Sequence, residues 1–141
     1  MPTERSSTMD DRIVDGSEQS ACRHAEAAAK AIRSLNHATH PADDFPGLQD
    51  PSDLYRVLGE LSLLCERLPQ ALRQLMRFLG RQLDANLIAI DAGTEFAGHP
   101  ERAVTAVQVY LENGIPAAND LQAALDAGRQ AIAFANYRGA E

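Results

Sequence analysis

Arg73, Arg77 and Arg81 stand at i, i+4 and i+8, so any helix that holds them presents them as one row. Guanidinium groups spaced in this way can grip phosphates or the carboxylates of an acidic partner. The plainer reading is a solvated face whose charges are met by nearby Asp or Glu. No aromatic residue interleaves the row to stack bases, and the formal charge of the chain is −7. Nucleic acid is therefore the disfavoured partner, and an acidic protein fits the row better.

His37-x-x-His40, followed by Asp43 and Asp44, has the residue types of a metal site. These ligands straddle a helix end and a loop, whereas zinc needs donors fixed on defined elements. A His in the last turn of a helix is also favoured by the helix dipole alone, and no metal is assigned. Cys22 and Cys65 fall on or beside helical seams with no C-x-x-C pattern, so both read as small apolar side chains. No Glu stands three residues before a His, which excludes the carboxylate di-iron bundles. Glycine-rich phosphate loops and Gly-x-Ser-x-Gly elbows are absent too. The reading names no catalytic residue and no cofactor, and is of a non-enzyme.

The elements that must position the arginine row are easier to read. Leu54, Leu58, Leu61, Cys65, Leu68, Leu72, Leu75 and Leu79 alternate in steps of four and three, the spacing of a helix that buries one stripe. A flanking row follows at Val57, Leu64, Ala71, Phe78 and Ala85, so this helix has apolar surface for two neighbours. It opens at Asp50-Pro51-Ser52, where Pro suits the first helical position, and runs over 51–87. Pro69 removes the hydrogen bond to the Cys65 carbonyl. The register does not change across it, so one bent helix is expected.

A shorter helix over 18–39 carries Ala21, Ala25, Ala28, Ile32 and Leu35, and stops before Pro41. A connector follows, with Phe45 and Leu48 expected to tuck in and pin it. A last helix over 100–136 shows Val104, Val107, Leu111, Ala118, Leu121, Leu125, Ile132 and Ala135 in heptad phase, with a bend expected at Gly114-Ile115-Pro116. Gly114 and Gly128 fall in its seam and leave gaps that are a conceivable pocket. Residues 87–99 form a break in which Ile88 to Ile90 are briefly extended.

The fold expected is all-α: an up-down bundle with the short helix packed on a long kinked hairpin. Residues 1–16 read as a disordered arm and 17–138 as a single helical domain. No apolar run reaches the ~20 residues of a membrane span, and no signal peptide opens the chain, so a cytoplasmic setting is expected. The Arg and Ala bias reads as the trace of a GC-rich genome. In length, composition and layout the chain loosely resembles small all-helical proteins of high-GC bacteria, with no motif that carries over a residue role.

Function follows from unequal lengths. A helix of ~30 Å cannot cover a hairpin of ~50 Å. The distal half is then left bare at Leu72, Leu75, Met76, Phe78, Leu79 and Leu83, opposite Val104, Val107, Tyr110 and Leu111. Apolar surface of that extent marks an interface. The leading expectation is a protein-interaction or self-association module using this surface, either as a homo-oligomer or with a helical protein partner. A regulatory nucleic-acid binder using Arg73, Arg77 and Arg81 is the alternative, and a small-ligand carrier or enzyme stands third.

Overall fold

The computed structural model describes residues 20–135. The arm read at 1–16 and the last residues of the domain read to 138 lie outside that range. The described residues hold three α-helices and no strand, so the chain is all-α as the periodicity predicts: α1 (Ala21–Ala38), α2 (Pro51–Asp84) and α3 (Pro100–Ala131). None of the three is long and apolar enough to cross a membrane. The chain divides between Gln49 and Asp50 into two compact units.

In the first unit α1 has no buried residue, and Cys22, read beside a seam as a buried apolar side chain, is exposed. Its C-terminus is closed locally. The Thr39 hydroxyl donates to the Leu35 carbonyl at 2.8 Å, and a 3-10 turn at Pro41–Asp43 follows. His40 caps that turn, its Nδ1 accepting from the Ala42 amide at 3.1 Å. The Gly47 amide then returns to the Ala38 carbonyl, so closely that a Cβ on Gly47 would lie 2.8 Å from the Ala38 Cβ. Phe45 does not pin the connector as expected. It sits exposed in the left-handed region at φ 49°, next to Asp44 at φ 59°, where the backbone of the tight turn decides its direction.

In the second unit α2 starts at a reciprocal cap. The Asp50 carboxylate accepts from the Ser52 amide at 2.8 Å, and Asp53 accepts from the Asp50 amide at 3.2 Å. The helix then continues without a break through Pro69, which is buried. It ends in a Schellman arrangement: Asn86 takes φ 60°, its amide donates to Leu83, and the Leu87 amide donates to Gln82. Residues 85–99 form a turn-rich loop, with Gly93 and Gly98 at positive φ and Ile88 to Ile90 in no regular element. α3 begins with Pro100 at its first position and runs unbroken through Gly114 and Pro116.

α2 and α3 pack along each other as an antiparallel hairpin. The facing pairs show the direction: Leu58 meets Gly128, Gly59 meets Arg129, Ser62 meets Asp126, Leu72 meets Gly114, and Gly80 meets Gln108. Each step along α2 is matched by a nearly equal step back along α3. At 34 and 32 residues the helices are ~51 and ~48 Å long, and the facing pairs span most of both, from Leu58–Gly128 to Gly80–Gln108. The core between two helices is narrow. Its buried apolar residues are Cys65 (2% exposed), Val104 (3%), Ala118 (8%) and Pro69, with Ser62 buried too.

Candidate interaction surface

The antiparallel register gives the hairpin two unlike sides. Leu58, Cys65, Leu72 and Leu79 of α2 lean on α3, and the parallel row Leu54, Leu61, Leu68 and Leu75 lies one step further out. Leu58 and Leu72 meet Gly128 and Gly114, which share a seven-residue stripe of α3 with Val107 and Leu121. This is the apolar side. Leu54, Leu68, Leu75, Phe78, Val107, Tyr110 and Leu121 are all exposed, Phe78 at 60% and Tyr110 at 74%.

No charged residue interrupts the α2 rows Leu54–Leu61–Leu68–Leu75 and Val57–Leu64–Ala71–Phe78. The α3 rows Val107–Gly114–Leu121–Gly128 and Ala103–Tyr110–Ala117–Ala124 are uncharged as well. Exposure is not confined to the distal half, as the length argument expects. Leu54 (42%), Leu68 (39%) and Leu121 (53%) are exposed beside Leu75 (51%).

The residues read as interacting sort into three groups. Leu75, Phe78, Val107 and Tyr110 are exposed on the helices that carry the open stripes. Leu79, Leu83 and Leu111 are half-buried, and Val104 is sealed in the seam, so Val104 serves the hairpin's own packing and is unavailable to a partner. Arg73, Met76, Arg77 and Arg81 border a groove of about 470 Å³ between the helices, opposite Gln108 and Glu112. The arginine row is therefore on the rim of the interhelical groove and does not point away from α3. Its register explains this: Met76 and Gly80 belong to the seam, and the arginines are their immediate helical neighbours.

Nearer the open end the same side carries a polar cluster that the leucine ladder concealed. The Ser62 hydroxyl donates to Asp126 Oδ1 at 2.6 Å. The Arg129 guanidinium lies over the Tyr55 ring, 4.5 Å from its centroid, with Nε buried and lacking a hydrogen-bond partner. The available signal was Ser62 in the row Tyr55–Ser62–Pro69–Met76, a second seven-residue stripe that the apolar count passes over.

At the gaps expected at Gly114 and Gly128, a Cβ would stand 3.3 Å from Leu72 Cδ1 and 3.8 Å from Leu58 Cδ1, so a leucine of α2 faces each. Among the described residues no group of three or more His, Cys, Asp or Glu side chains is placed to hold a metal ion. Comparison with protein-family models, with curated proteins and with solved structures gave no match.

Proposed function

We propose that this chain is a non-enzymatic self-association module, pairing with a second copy through the apolar side of the α2–α3 hairpin. The observation that carries this reading is the contrast between the two surfaces of α2. The seam buries Cys65, Pro69, Val104 and Ala118, while uncharged rows containing Leu54, Leu68, Leu75, Phe78, Val107 and Leu121 lie open. Covering each such half-exposed side chain contributes on the order of 1 kcal/mol, which a hairpin with so narrow a core needs.

The surface suits a copy of itself. α2 supplies a ridge of large residues (Leu54, Leu61, Leu68, Leu75) and α3 a trough at the exposed small residues Ala117 and Ala124. A two-fold axis parallel to the helices sets the ridge of each copy over the trough of the other. The absence of charge from both rows disfavours a partner recognised through its charge.

Sedimentation equilibrium of the full chain against Leu68→Glu/Leu75→Glu tests it. The wild type is expected to be dimeric and the variant monomeric, with helical content retained at high protein concentration. A wild type that stays monomeric at high concentration and binds no apolar dye overturns the reading, because the side would then be sealed within one chain.

A further inference from the structure

On the opposite flank of α2 from the apolar rows, Arg73, Arg77 and Arg81 edge the groove with Met76 and, from α3, Gln108 and Glu112. Two acidic side chains, Asp84 and Glu112, lie along the same groove, yet none of the ion pairs among the described residues involves these arginines. The row is thus three guanidinium groups on one flank of α2, none of them held in an ion pair among the described residues. From Arg73 to Arg81 the backbone rises ~12 Å, one turn per step.

We propose that this groove docks an acidic amphipathic helix of a partner protein, its carboxylates one turn apart and its apolar edge against Met76. The spacing matches charge for charge: carboxylates at i, i+4 and i+8 climb a helix at the same rate as the arginines. Each guanidinium can take one carboxylate through two parallel N–H donors. Gln108 adds an uncharged donor from the far wall. A nucleic acid fits less well. Three contacts are few for a phosphate backbone, no aromatic side chain lines the groove, and Glu112 and Asp84 break its positive field. The docking site is independent of self-association, which uses the other side of the hairpin.

The test is fluorescence anisotropy on the full chain with three labelled probes. These are a helical peptide with glutamates at i, i+4 and i+8, a peptide of the same composition with the glutamates moved to consecutive positions, and a short DNA duplex. The spaced peptide should bind saturably and at least roughly tenfold more tightly than the rearranged one. Its affinity should fall steeply as salt rises to roughly 0.3 M. Arg73→Ala/Arg77→Ala/Arg81→Ala should abolish binding with helical content unchanged, since all three side chains are exposed. Glu112→Gln provides a gain: removing the opposing carboxylate should tighten the spaced peptide several-fold. Equal binding of the two peptides, no response to Glu112→Gln, or tighter binding of the duplex at equal salt overturns the proposal.

Discussion

Ser62 and Asp126 meet across the hairpin seam, hydroxyl to carboxylate at 2.6 Å, from a serine only 6% exposed. A hydrogen bond to a carboxylate inside a helical seam is worth roughly 1.5–3 kcal/mol. It also ties one register of α2 to one register of α3, where leucine rows alone would tolerate a slip of a heptad. Ser62→Ala should lower Tm by about 5–10 °C for a domain of this size, measured by calorimetry.

The Arg129 guanidinium stacks on Tyr55 with its Nε shut off from solvent. A cation–π contact of this kind is worth about 0.5–1 kcal/mol, and it needs the ring and not the phenol oxygen. Tyr55→Phe should therefore leave the urea midpoint almost unchanged. Tyr55→Ala should lower stability by about 1 kcal/mol or more, because the ring's packing is lost with the contact.

Gly59 and Gly80 both lie inside α2, where Gly→Ala gains about 1 kcal/mol of helix propensity. Their surroundings separate them. A Cβ on Gly80 would find Gln108 Nε2 at an ordinary 3.7 Å, whereas one on Gly59 would press on Arg129 Nε at 3.2 Å. Gly80→Ala should raise Tm by a few degrees. Gly59→Ala should gain less or nothing, because Arg129 has to move off Tyr55.

Self-association through the apolar rows makes stability depend on concentration. The Tm of the wild type should rise over a hundredfold dilution series read from dilute to concentrated. That slope should vanish in Leu68→Glu/Leu75→Glu. Leu79→Glu is a poor probe of the interface, since Leu79 is half-buried in the hairpin's own seam and its loss acts on folding.

The two thiols should react in two phases. Cys22 is exposed on α1 and Cys65 is buried at 2%. A chromogenic disulfide reagent should consume one equivalent promptly and the second only in denaturant, a direct readout of whether the seam is closed.

The helices themselves were legible because their cues are local. Asp50-Pro51-Ser52 predicts the start of α2 to the residue, and an unbroken heptad predicts passage through Pro69. The end of α2 at Asp84 fell slightly short of the expected 87, because Asn86 at positive φ closes it in place of a glycine. What the pattern did not carry was the partition of one apolar stripe between two sides. Leu58 and Leu61 look alike in sequence; only the pairing of Leu58 with Gly128 shows which row α3 takes. The same holds for the arginines, whose groove is half built from α3, and for Ser62, which is unremarkable until Asp126 stands opposite.

Both long helices contain a proline, and the register sets them at one level: with Leu72 beside Gly114, Pro69 and Pro116 lie within about a turn of each other. Neither ring nitrogen can donate, so the Cys65 and Glu112 carbonyls each lose a rung of the backbone ladder, one on either side of that level. The hairpin is scored across its waist on both legs. With two backbone hydrogen bonds missing around one level, that waist is where the hairpin is expected to yield first under a bending load.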